Sequence, residues 1–145
     1  MSETEPMPED ESLLQQARAA AQRAYCPYSR FPVGAAVLCD IGVMTGCNIE
    51  NASYGMAICA ERVALFAAVA QGAKRIIRLA VSCIEAPEDG PAAGRMPCGA
   101  CRQVIAELMP PDAIVLIDGV GPMRVADLLP NAFRLETTSF LSLGL

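Results

Sequence analysis

The stretch from Cys59 to Gln71 limits the fold more than any other. Val63, Ala64, Leu65, Phe66, Ala67, Ala68, Val69 and Ala70 follow one another with no polar stripe. A helix that is apolar on nearly every face belongs in the middle of a domain, with other elements layered around it. Gly72 is placed to end it. The flanking segments supply the layers. From Ser12 to Ala24 the residues Leu13, Leu14, Ala17, Ala20, Ala21 and Ala24 recur at helical spacing, with Asp10 or Ser12 available as a cap and Pro27 as a stop. Val33–Leu38 and Val43–Cys47 read as strands joined by a short Cys39-Asp40-Ile41-Gly42 hairpin. Ile76–Ile84 reads as a buried strand, and a Pro- and Gly-rich loop from Ala86 to Pro97 follows it. A helix is expected from Cys98 to Leu108, a strand over Ala113–Ile117 and a short helical turn over Val125–Leu129. Helix, hairpin, then alternating helix and strand predict a layered α/β domain.

Charge and cysteine usage narrow the function. Of the 16 acids, Glu3, Glu5, Glu9, Asp10 and Glu11 crowd into residues 1–11, and the other 11 balance the 11 lysines and arginines. We therefore expect an acidic, disordered tail over 1–11 and one domain over 12–145. The body outside that tail is neutral, which argues against nucleic acid as a partner, because a nucleic-acid footprint requires a basic patch. No apolar run reaches the ~18 residues needed to span a bilayer, and the start lacks the basic-then-apolar order of a signal peptide. A cytoplasmic protein with no membrane contact is the simplest expectation. Seven cysteines is an odd number, which favours metal binding or core packing over a disulfide framework. The chain has no histidine, so imidazole bases and His-ligated metals are excluded.

Two short segments carry the chemistry: Cys59-Ala60-Glu61 and Pro97-Cys98-Gly99-Ala100-Cys101. A C-x-x-C pair offers two thiolates to one tetrahedral zinc ion, and a third ligand has to come from elsewhere. Cys59 is the candidate, since it opens a helix just as Cys98 does, and a helix N-terminus stabilises a thiolate. Three protein ligands leave the fourth corner open, as catalytic zinc sites do. Three thiolates around Zn²⁺ carry a net negative charge, which weakens the metal's hold on the proton of its water. Arg62 is placed to offset that charge by hydrogen-bonding to ligand sulfur. Glu61 is placed as the acid/base that takes a proton from the attacking water and returns protons to the substrate.

The Cys-x-Glu segment, followed after 35 residues by Pro-Cys-x-x-Cys, fits the signature of zinc-dependent deaminases in its three-cysteine form. From Tyr25 to Phe133 the chain resembles the small homotetrameric cytidine deaminases. The resemblance rests on Tyr28–Ala36, Gly46–Tyr54, Cys59–Arg62, Pro97–Gln103 and Leu128–Phe133. It implies a three-layer α/β/α sandwich around a mixed sheet, a Zn²⁺ cofactor, and a cytidine or deoxycytidine substrate converted to uridine or deoxyuridine. It further implies ribose contacts from Asn48 and Glu50, a pocket wall at Phe31, and backbone amides of Ala60 and Cys98 near the reacting atoms. Sites shared between subunits would be completed by a neighbour's Tyr54 and Phe133. The somewhat long loop before Cys98 and the tail from Arg134 depart from the pattern. Three alternatives stay open: a deaminase of a cytosine-containing antibiotic, a non-catalytic zinc scaffold, and a thiol redox protein using Cys98 and Cys101. Cys26, Cys39, Cys47 and Cys83 are assigned to packing.

Overall fold

Alternation along three central strands shows how the layers form. In β1 (Val33–Cys39), Ala35, Val37 and Cys39 face one core while Ala36 faces another. In β3 (Ile76–Cys83), Leu79 and Val81 share the first core and Ala80 the second. In β4 (Ile114–Ile117), Val115 and Ile117 oppose Ile114 and Leu116 in the same way. Strands covered on both faces read as continuous apolar runs, as these do in the sequence. The computed structural model describes residues 5–135.

With β2 (Gly42–Cys47) and β5 (Gly121–Arg124) the strands make a five-stranded sheet in the order β2-β1-β3-β4-β5. Only β3 and β4 are parallel; the other pairs are antiparallel. The sheet is therefore mixed. α1 (Asp10–Ala21) covers one face through Leu13 and Ala17. α2 (Ala60–Ala70) and α3 (Gly99–Leu108) cover the other through Ala64, Leu65, Ala68, Cys101 and Ile105. Three layers result, as expected. α4 (Val125–Leu128) closes the end of the sheet beside α3.

Four details differ from expectation. α1 begins at Asp10, so Asp10 and Glu11 of the acidic start form its first turn, where the helix dipole favours acids. Neither Asp10 nor Ser12 is the cap; Glu9 occupies that position without a side-chain cap bond. The helix stops at Ala21, short of Ala24 and Pro27. β5 was not foreseen, since its Gly-Pro start resembles a turn; it is an edge strand, where proline is tolerated. Residues 1–4 of the acidic start and 136–145 of the tail lie outside the described residues.

α2 is buried on one flank, through Ala60, Glu61, Ala64, Leu65 and Ala68, whereas Phe66 and Val69 are exposed in the single chain. The sequence called for cover on all sides, and the single chain supplies it on one. The buried flank sits unusually close to the sheet. A Cβ on Gly46 of β2 would fall 2.5 Å from the Ala64 amide nitrogen and 2.8 Å from the Ala60 carbonyl oxygen. Only glycine allows this approach, which seats the first turns of α2 directly on the sheet.

Candidate active site

Cys59 and Cys98 are the N-cap residues of α2 and α3, both in extended backbone conformation, and neither helix start has a side-chain cap bond. The first-turn amides of both helices are thus directed toward the thiols without a side-chain oxygen to satisfy them. Cys101 lies in the first turn of α3 with no exposed surface. The Cys59–Cys98 sulfur distance is 3.8 Å and the Cys98–Cys101 distance 3.6 Å, and all three sulfurs lie within 4.8 Å of one another. A zinc ion with tetrahedral angles and Zn–S bonds of about 2.3 Å places its sulfurs about 3.8 Å apart. The cluster therefore fits one such ion.

The sulfurs share protons as a unit. The hydrogen bond with Cys101 draws the Cys59 thiol down to about 5, helped by the Arg62 guanidinium. The same hydrogen bond, with burial, pushes Cys101 up. Arg62 donates to the Cys59 sulfur at 3.4 Å, in the place expected for it. Its own pKa is raised, chiefly by that bond, so it stays cationic beside the cluster.

Glu61 is 4% exposed, and its burial raises its pKa above the usual carboxylate range. The Cys59 sulfur adds to the rise, whereas Cys101, bonding to the carboxylate, opposes it. Ala60, between them, is fully buried. Cys83, assigned to packing, is buried on β3 with its thiol raised to about 11 by desolvation and then by the nearby Glu61 charge. Cys59 is thus drawn down, whereas Cys101 and Cys83 are both pushed up.

A hollow of about 230 Å³ opens near this corner, lined by Tyr28, Ser29, Glu50, Asn51, Tyr54 and Ala57. Of the residues expected to bind substrate, Glu50 and Tyr54 line it. Phe31, Asn48, Ala60 and Phe133 do not. Asn48 instead accepts from the Val33 amide at 2.8 Å and donates to the Phe31 carbonyl at 2.9 Å. Glu50 accepts from the Tyr28 and Ser29 amides and from the Ser29 hydroxyl; the Ser29 contact is the main reason its pKa is depressed. Both side chains thereby shape the 28–33 segment. Tyr28 packs edge-on to Tyr54, with ring centroids 5.9 Å apart. Tyr54 is 75% exposed, and Phe133 is 69% exposed. Tyr28, Ser29 and Asn51 line the hollow too and carry no sequence signal of their own beyond adjoining the expected residues.

The pattern called "Cytidine and deoxycytidylate deaminase zinc-binding region" matches residues 7–117. A cytidine deaminase of Sporosarcina psychrophila is 46% identical over 135 residues, 90% of this chain and 95% of that protein. A cytidine deaminase of Mycobacterium tuberculosis is 50% identical over 119 residues, 81% of this chain and 84% of its own length. The crystal structure of cytidine deaminase from Burkholderia pseudomallei superposes with a TM-score of 0.76 at 45% identity, covering 85% of this chain and 98% of that one.

Proposed function

Because this chain belongs to the cytidine and deoxycytidylate deaminase family, we propose that it hydrolyses cytidine and deoxycytidine to uridine and deoxyuridine, releasing ammonia. The observation that carries this function is the meeting of three cysteine sulfurs at two helix starts, with the Glu61 carboxylate buried in the turn beside them. Cys59, Cys98 and Cys101 hold the zinc. When bound, zinc makes water acidic enough to supply a nucleophile near neutral pH.

The chain's own groups do the remaining work. Glu61 takes a proton from the attacking water and passes it to the ring nitrogen beside the amine-bearing carbon. The water oxygen adds to that carbon; Glu61 then carries the proton of the added hydroxyl to the amine, and the carbon–amine bond breaks as the carbonyl forms, releasing ammonia. Arg62 offsets the surplus negative charge of three thiolates. Asn48 and Glu50 address the sugar, and Phe31, the Ala60 and Cys98 amides, Tyr54 and Phe133 surround the base. Asn48 does so through the donor and acceptor capacity left after its strand contacts.

The enzyme works in the cytoplasm as a homotetramer with shared sites. The uncovered Phe66 and Val69 flank of α2 supports assembly, and Tyr54 and Phe133 stand free to enter a neighbour's pocket. Seven free cysteines suit a reducing compartment. Ultraviolet spectroscopy on cytidine, with metal analysis of the same sample, is the test. Conversion to uridine with about one zinc per chain is expected. A zinc-loaded protein that releases no ammonia from cytidine, deoxycytidine or a cytosine-containing antibiotic would instead be a scaffold.

A further inference from the structure

The three ligand sulfurs are not equally secured. Cys101 is buried and Cys59 half-buried, but Cys98 is exposed, so packing alone does not fix it. Cys98 is also delivered by the longest connection near the site, residues 84–97, which joins β3 to α3 with only one short 3-10 turn at Ala92–Arg95. A connection of that length is expected to wander unless it is tied down.

Arg95 ties it. Its guanidinium donates to the Pro87 carbonyl at 2.7 Å, the Ala86 carbonyl at 3.3 Å and the Asp118 carbonyl at 3.4 Å. The first two lie at the near end of the loop, Arg95 itself lies three residues before Cys98, and the third belongs to the turn after β4. One side chain thus gathers both ends of the loop against the sheet. The turn is firmly held in its own right: the Asp118 carboxylate accepts two bonds of 2.8 Å from Arg18 and one of 2.7 Å from Ser82.

Gly119 adjoins the same guanidinium. Its φ of +82° itself favours glycine, and a Cβ there would lie 2.8 Å from the Arg95 guanidinium nitrogen. Downstream, Arg102 holds the Pro97 carbonyl at 2.9 Å and the Leu128 carbonyl at 2.7 Å, so the strand of chain entering Cys98 is fastened from both directions.

We propose that Arg95 is a positioning residue for the metal site: by clamping the 84–97 loop onto the Asp118–Gly119 turn, it presents Cys98 in register with Cys59 and Cys101. The proposal rests on the zinc reading above and adds to it a residue that touches neither metal nor substrate.

The test is zinc release to a chromophoric chelator from the zinc-loaded full-length protein. Arg95→Ala should release zinc about 10- to 100-fold faster or bind it correspondingly more weakly, the range typical of lost outer-sphere support. Arg95→Lys, with one ammonium for three carbonyls, should fall between. Gly119→Ala, which pushes a methyl into the guanidinium from the other side, should reproduce the loss even if Arg95→Ala folds poorly. Asp40→Ala removes a carboxylate that caps the Lys74 and Arg75 amides away from the site, and it should lower thermal stability without changing zinc release. If Arg95 acts through Cys98, its effect should vanish in a Cys98→Ala background.

Wild-type zinc release from both Arg95→Ala and Gly119→Ala overturns the proposal. An equal change in Asp40→Ala, or full additivity with Cys98→Ala, overturns it as well. A wild-type protein that binds no zinc brings down the parent reading instead.

Discussion

Glu61 and Cys101 are almost completely shielded from solvent, whereas Tyr54 and Phe133 are among the most exposed large side chains of the described residues. The first pair sits at the corner where bonds would be made and broken; of the second, Tyr54 lines the hollow and Phe133 does not. Every proposed group of the corner comes from two helix starts of the same chain, held on a sheet they touch directly. The hollow is lined by residues from the 28–29 and 50–57 segments. Under the proposed function, the chemical groups come from one chain and recognition is completed by a neighbour. The electrostatics agree: buried Glu61 is raised by desolvation, but exposed Glu50 is lowered by hydrogen bonds it can keep in water.

Substitutions can break this division. The largest effect is expected from Glu61→Ala, which should cut kcat by about 100- to 10,000-fold while zinc content and KM change little. Metal analysis beside steady-state kinetics reads both, and undiminished turnover would remove Glu61 from the mechanism. Phe133→Ala should do the opposite, raising KM by roughly tenfold, as loss of an aromatic contact does, with kcat nearly intact. Next comes Phe66→Asp, which places a charge on the uncovered flank of α2. Sedimentation should show dissociation at micromolar concentration, and KM should rise in step with it. An unchanged KM in the dissociated protein would mean that the hollow is complete in a single chain.

The smallest effect concerns the turn after β4. Asp118 is held below its ordinary pKa, first by Arg18 and then by Ser82. A depressed carboxylate stabilises the fold above its unfolded pKa of about 3.9, and that contribution is lost as pH falls through the folded value. Arg18 is partly exposed, so screening keeps the contribution near 1 kcal/mol or less. Asp118→Asn should therefore lower the melting temperature slightly at neutral pH, by an amount that shrinks as pH falls through the acid range. Thermal melts across that range would check it.

Much of this organisation could be read from residue order. Period-two burial and all-round apolarity are local properties, so the strands, α2 and the layering were within reach. Helix starts at Cys59 and Cys98 follow from the pattern around them, and with them the convergence of sulfurs. What escaped was tertiary. Asn48 and Glu50 were chosen as sugar ligands, yet their hydrogen bonds to residues 28–33 depend on two segments meeting in space. Arg95 and Arg102 gave no signal because main-chain carbonyls, their partners, carry no sequence identity. β5 was hidden by Gly121 and Pro122, residues that look alike in a turn and at a sheet edge.

The contact at Gly46 has a mechanical consequence. At Gly46 backbone meets backbone beneath the turn that holds Glu61. Tilting that turn would require lifting it off the sheet altogether. If Glu61 acts as proposed, its backbone is braced by the sheet itself, and a substitution at Gly46 would unseat it.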